Sequence, residues 1–205
     1  MKSLIAIPCQ DKVDTAFVNS LLKAKTDGSE ILFAANSLVY AARDELAKKA
    51  LDFDVLVFID SDMVIPETAI ERALARVNEL GVVTGLCFRR REPYLPALWQ
   101  ILNPSDMSKT RIYEEYPEDK IFKVAACGMA FCAIRTDILK RTFERFNTCF
   151  YPVEGLGEDV SFCARLGELG VGIWCDPSLK IGHLTQTVID ERIYKAYKKG
   201  SAANA

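Results

Sequence analysis

Short unbroken apolar runs alternate along this chain with stretches in which apolar residues recur every three or four positions. Leu4-Ile5-Ala6-Ile7-Pro8 is such a run and predicts a buried strand. Phe17, Leu21 and Leu22 then share a helical face, and the pattern stops at Asp27-Gly28. Ile31-Leu32-Phe33-Ala34 predicts a second strand. Ser37 is placed to cap a helix carrying Leu38, Ala42, Leu46 and Ala50 at helical spacing. Val55-Leu56-Val57-Phe58-Ile59 is the clearest buried strand. Pro66 suits the first position of a helix that bears Ile70, Leu74 and Val77 and ends at Gly81. Residues 82–88 predict a fourth strand.

This order predicts an α/β fold in which a mostly parallel central sheet is flanked by helices. Parallel strands need crossovers, and crossovers are right-handed. Residues 89–120 break the pattern with four prolines, mixed charges and no period, as expected of a long loop-rich segment over one sheet edge. Strands are expected again at 121–124 and 129–134, and a helix capped by Thr136 should run through Phe146. Glu158 to Leu169 predicts another helix, closed by Gly170, before short strands at 171–175 and 179–181. A basic amphipathic helix is expected over 188–199, with an apolar face on which a second copy could pack; 201–205 should fray. At 205 residues the expectation is one domain, 1–205, built as a first half (1–88), a loop-rich segment (89–120), a second half (121–186) and a tail (187–205).

Composition narrows the function classes. Lys and Arg total 26 against 28 Asp and Glu, a net charge of -2, so no broad cationic field exists for sequence-independent binding of a nucleic-acid polymer. No apolar run approaches the ~20 residues that cross a bilayer. Met1-Lys2-Ser3 leads straight into the first strand without a secretory signal, and the expected location is cytoplasmic. The seven cysteines include no Cys-x-x-Cys pair, and their odd number argues against a disulfide framework or a zinc knuckle. They read as small buried residues. His183 is the only histidine, which excludes any multi-histidine metal site.

In open α/β sheets, ligands bind beyond the carboxyl ends of the strands. Three such ends are Pro8-Cys9-Gln10-Asp11, Ala35-Asn36-Ser37 and Asp60-Ser61-Asp62. Strand alternation would send Asp60 and Asp62 to one side, where their charges repel unless a cation or donor lies between them. A hard divalent ion meets that need and leaves positions for phosphate oxygens; helix capping by a solvated acid is the plainer reading. Gly157-Glu158-Asp159 opens a helix, where acids suit the dipole. A carboxylate there is also a candidate general base. His183 ends a short strand beside Gly182, and neutral imidazole binds Mn²⁺ acceptably.

Together Asp60-Ser61-Asp62-Met63, Gly157-Glu158-Asp159 with Phe162-Cys163, Asp176-Pro177 and Gly182-His183 resemble a GT-A-type glycosyltransferase. The likeness is to the small family-2-like enzymes of bacterial and phage genomes and spans most of the chain. It implies a nucleotide-sugar-binding first half and an acceptor-binding, catalytic second half. It further implies a UDP- or GDP-linked sugar donor, a Mn²⁺ or Mg²⁺ ion, and a glycan, protein or small-molecule acceptor. Pro8 and Cys9 would line the nucleobase pocket, with Asn36, Ser37, Arg43 and Ser61 near the nucleotide. Asp60 would lie near the ribose and the ion, Asp62 and His183 would bind the ion, and Asp159 would be the base of an inverting transfer, supported by Glu158. Cys127-Gly128-Met129 matches a small-residue loop beside the acceptor.

Two other readings stay open. A hydrophobic strand before Asp60 and Asp62 also resembles the first motif of haloacid-dehalogenase phosphatases, in which the first Asp is a nucleophile. That motif belongs on the first strand and needs a later Asp pair, and no Asp-Asp pair occurs here. A non-catalytic nucleotide-sugar-binding module would keep the pocket without turnover. Arg89-Arg90-Arg91 could grip a diphosphate or an acidic acceptor, and Tyr94 or Trp99 could stack on a sugar ring.

Overall fold

The chain folds around strands that are buried on both faces. The computed structural model describes residues 1–35, 37–153 and 155–185. In chain order the first elements are β1 (Ser3–Pro8), α1 (Thr15–Lys23), β2 (Glu30–Ala34), α2 (Val39–Lys49), β3 (Val55–Ile59), β4 (Met63–Val64), α3 (Ala69–Leu80) and β5 (Val82–Leu86). There follow β6 (Leu98–Ile101), β7 (Arg111–Ile112), β8 (Phe122–Val124), β9 (Ala126–Cys127), β10 (Phe131–Arg135), α4 (Thr136–Phe146), α5 (Glu158–Glu168), β11 (Ile173–Lys180) and β12 (Gly182–His183).

Leu4, Ala6, Leu56 and Phe58 face one core, while Ile5, Ile7, Val55, Val57 and Ile59 face the other. That is the two-residue period of a strand, and burial of both sets requires helices on both sides. α2, α4 and α5 pack on the first face and α1 and α3 on the second. The seven-stranded sheet has the order β2-β1-β3-β10-β5-β11-β8. β2, β1, β3, β5 and β11 run one way; β10 and β8 run antiparallel to their neighbours. The sheet is therefore mostly parallel, as the alternation predicts. β10 sits at its centre, between β3 and β5.

Several local expectations shift. The α2 helix starts at Val39 with Leu38 as its cap, so Ser37 lies one position too early and makes no capping bond. Pro66 precedes α3 rather than opening it, and its carbonyl accepts from Ala69 N at 3.0 Å. Thr136 is already helical; its hydroxyl donates to Phe53 O at 2.6 Å and ties α4 to the turn before β3. The loop-rich segment contributes β6 and β7, which form a three-stranded sheet with β9. The two short strands expected at 171–181 are one strand, β11, with an irregularity between Asp176 and Lys180. There Gly85 of β5 packs closely: a Cβ would stand 2.8 Å from Ile181 Cγ1 and 3.1 Å from Leu179 O.

All seven cysteines are free; six are buried and Cys9 is half-buried. No described helix is long and apolar enough to cross a membrane. Asn36 and the expected helix at 188–199, with the self-association face assigned to it, lie outside the described residues.

Candidate functional site

At the carboxyl end of β3 the chain leaves the sheet in a tight turn, with Met63 N donating to Asp60 O at 3.2 Å. The strand stops at Ile59, so alternation no longer sets the two acids on one side. Asp60 takes an ion pair from Nη2 of Arg43 at 2.7 Å, on the α2 side. Asp62 turns to Arg90 (Nη1 to Oδ2, 2.7 Å) and His183 (Nε2 to Oδ2, 3.3 Å). Two separate cations thus answer the repulsion anticipated for these acids. Asp60, the nucleophile a phosphatase would need, is engaged by a guanidinium whose residue is only 3% exposed.

Asp60, Ser61 and Asp62 line a cavity of about 540 Å³ with Pro8, Cys9, Ser37 and Arg43. The cavity opens beyond the strand ends, where the α/β rule places a ligand. Gln10, Lys12, Leu38, Val39, Ala42 and Arg90 complete its wall. Of these, sequence reasoning placed only Gln10 at a ligand-binding strand end; Lys12, Leu38, Val39 and Ala42 carry no motif, and only their position after β1 or at the head of α2 points to them.

Backbone pairing explains how His183 reaches this mouth. β4 follows Asp62 directly, and β12 pairs with it antiparallel, so His183 stands opposite Met63. Leu184 N donates to Asp62 O at 2.8 Å. Gly182 permits the approach, because a Cβ there would lie 3.2 Å from Val64 Cβ. The His183 ring is fixed at its other end, where Nδ1–H donates to Phe88 O at 2.7 Å. This bond leaves Nε2 facing Asp62. A metal-binding histidine is held in the same way, through its second nitrogen. The hydrogen bond to His183 lowers the Asp62 pKa below the ordinary carboxylate value, and that bond raises the His183 pKa above its own ordinary value.

The second acidic pair sits in the first turn of α5. Asp159 and Cys163 are four residues apart and share a helical face. Cys163 meets the backbone of Cys127, and Asp159 lies over Gly128, where a Cβ would come 3.7 Å from Asp159 Oδ2. The loop expected beside an acceptor is therefore next to the expected base. Glu158 accepts from Nε of Arg43 at 3.4 Å, so one guanidinium bridges α5 and the end of β3. Burial first, and the neighbouring Glu158 charge second, push the Asp159 pKa up to about 6. Burial also raises Asp60, against the pull of Arg43. Arg43 lies above its ordinary value because Asp60 and Glu158 outweigh its desolvation, and its Nη1 has no partner among the described residues.

Two buried charges hold the segment that leads into α5. Asp44 Oδ1 accepts from Cys149 N at 2.7 Å, Thr148 Oγ1 at 2.9 Å and Phe150 N at 3.0 Å. Arg165 donates to Cys149 O at 2.9 Å and Tyr151 O at 2.7 Å. Neither residue carries a sequence signal, since an Asp and an Arg on helices read as solvated. Trp99 is half-buried against the core with the Arg89 guanidinium 5.4 Å over its ring. Tyr94 is exposed in the loop after β5.

Among the described residues, no group of three or more His, Cys, Asp or Glu side chains converges so as to hold a metal ion. Asp62 and His183 do converge, and a carboxylate oxygen with a pre-oriented imidazole nitrogen fits a divalent ion of the Mn²⁺ kind.

No protein-family model and no curated protein matches the sequence. Solved structures do. The A197 protein from STIV superposes with a TM-score of 0.64 at 20% identity, covering 93% of this chain and 97% of A197. GalNAc-T7, in a crystal structure with UDP, GalNAc and Mn²⁺, gives 0.63 at 11% identity over 91% of this chain and 44% of its own. Residues 1–349 of S. aureus TarS, in complex with UDP, give 0.55 at 16% identity over 91% of this chain and 61% of that one. The chain thus spans under two thirds of the matched GalNAc-T7 and TarS chains. The fold of this chain is the GT-A-type fold found in those glycosyltransferases.

Proposed function

We propose that this protein is a glycosyltransferase that moves a sugar from a nucleoside-diphosphate sugar to an acceptor hydroxyl with inversion. The observation that carries the reading is the meeting of Asp62 and His183, 121 residues apart, at the mouth of the cavity beyond β3. The GT-A-type fold and the UDP and Mn²⁺ named for GalNAc-T7 support it.

In this reading Pro8 and Cys9 flank the nucleobase, and Ser37, Ser61 and Asp60 lie along the nucleoside. Asn36 belongs with them by sequence. Arg43 pairs with Asp60 and holds it in place. Asp62 and His183 would hold a divalent ion, leaving its other positions to phosphate oxygens and water. When bound, such an ion supplies Lewis-acid stabilisation of the departing diphosphate. The acceptor oxygen forms its bond to the anomeric carbon as the carbon–oxygen bond to the diphosphate breaks. The diphosphate keeps the electron pair, and Asp159 takes the acceptor proton. A carboxylate titrating near 6 is a stronger base than an ordinary one and is still ionised at neutral pH. Glu158, tied to Arg43, supports its geometry.

The test is release of nucleoside diphosphate from a panel of UDP- and GDP-sugars with and without Mn²⁺. Mn²⁺-dependent release from one donor is expected. Donor binding without turnover would leave a non-catalytic binding module instead.

A further inference from the structure

Arg90 is the cavity cation that pairs directly with Asp62, where a divalent ion would bind. Its Nη1 lies 2.7 Å from Asp62 Oδ2, the oxygen that His183 Nε2 also faces. We propose that Arg90 is an exchangeable counter-ion: it neutralises Asp62 in the free protein, gives up that oxygen to the divalent ion, and transfers to the donor diphosphate. This inference rests on the nucleotide-sugar reading above and assigns a further diphosphate-binding residue within it.

The backbone that carries Arg90 is held by hydrogen bonds, while its side chain has a single described partner, Asp62. Arg89 N donates to Leu95 O and Ala97 N to Cys87 O, both at 2.9 Å, so the stem of the loop after β5 is a paired hairpin. Tyr94 N closes its tip on Arg91 O, also at 2.9 Å. The Arg90 side chain is 56% exposed, lines the cavity, and makes its only described hydrogen bond to Asp62. Arg43 differs: it is buried and holds two carboxylates. A guanidinium on a rigid stem with one partner can change that partner without moving the backbone.

Charge decides the direction of exchange. In the free protein Asp60 is paired with Arg43 and Asp62 with Arg90, so each of the two acids has a guanidinium against it. A divalent ion alone must displace Arg90 and leave it facing a like charge. A divalent ion with a sugar diphosphate brings two positive and two negative charges, and the displaced guanidinium gains phosphate oxygens that match its fork geometry. Arg90 therefore weakens binding of the bare ion and strengthens binding of ion and diphosphate together. By linkage, each ligand raises the affinity for the other by the same factor.

The experiment measures Mn²⁺ affinity with and without UDP, and UDP affinity with and without Mn²⁺, by calorimetry and Mn²⁺ electron paramagnetic resonance. Wild type, Arg90→Gln and Arg90→Lys are compared, with thermal melts to show that each is folded; GDP replaces UDP if UDP does not bind. Arg90→Gln is expected to bind bare Mn²⁺ more tightly and to lose about tenfold in the Mn²⁺–nucleotide coupling, with partial recovery in Arg90→Lys. Unchanged coupling and unchanged bare-ion affinity in folded Arg90→Gln would overturn the role of Arg90 and leave the donor reading standing. A wild type that binds neither UDP nor GDP, with or without Mn²⁺, would overturn both.

Discussion

Nε of Arg43 lies 3.4 Å from Oε1 of Glu158, although 115 residues separate them in the chain. The same guanidinium holds Asp60 through Nη2. The end of β3 and the head of α5 therefore share one buried cation. Removing it leaves two acids facing each other across a desolvated gap. Arg43→Met is expected to cost about 3 kcal/mol of stability, read from urea unfolding, and to abolish nucleotide binding. Arg43→Lys keeps the charge and cannot span both carboxylates, so its loss should fall between wild type and Arg43→Met.

Asp62 sits in a half-buried surface turn, and its side chain is 33% exposed. Asp62→Ala should fold with a near-normal melting temperature and lose Mn²⁺ binding together with the Mn²⁺-dependent part of nucleotide affinity. Titration calorimetry with Mn²⁺ and UDP checks this. Normal Mn²⁺-dependent affinity in the folded variant would remove Asp62 from the ion site.

Asp159→Asn should retain donor binding and lose transfer by about 10²-fold or more, measured as single-turnover product formation. The wild-type rate should fall as pH drops through about 6, because the base protonates there.

The same shift has a stability consequence. The folded-state pKa of Asp159 is raised from 3.8 to about 6, so the folded protein favours the protonated acid. The stability associated with that proton is complete below about 4 and is lost as pH rises through about 6. Asparagine mimics the neutral form. Asp159→Asn should therefore be more stable than wild type by roughly 3 kcal/mol at pH 7.5, and the difference should vanish near pH 4. Urea midpoints across that range decide it.

Gly85→Ala tests the sheet. Its Cβ must enter space held by Ile181, Phe131 and the Leu179 carbonyl. A loss of about 1–3 kcal/mol is expected, read from the urea midpoint.

Much of this molecule is legible from periodicity. β1 and β3 carry unbroken apolar runs because both their faces are buried, β5 is interrupted only by Thr84 and Gly85, and α3 declares itself through Ile70, Leu74 and Val77. Asp60, Asp62, Asp159 and His183 stand out because charged groups next to buried strands or at a helix head need partners. The antiparallel course of β10 does not show, since pairing partners leave no trace in the local pattern of residues 131–135. Nor does the divergence of Asp60 and Asp62, which follows from a turn that ends alternation one residue earlier than the motif suggests. Asp44 and Arg165 are silent for a related reason: on a helix, a buried charge hydrogen-bonded to backbone looks the same in sequence as a solvated charge.

The placement of β10 also bears on how the protein is made. β3 and β5 are not neighbours; the slot between them is filled by a strand that begins at Phe131. When a ribosome has delivered only residues 1–88, two apolar strands each present a bare edge with nothing to join them. Those edges stay unpaired until residues 131–135 have been made, and an isolated N-terminal half is expected to leave them open to edge-to-edge association.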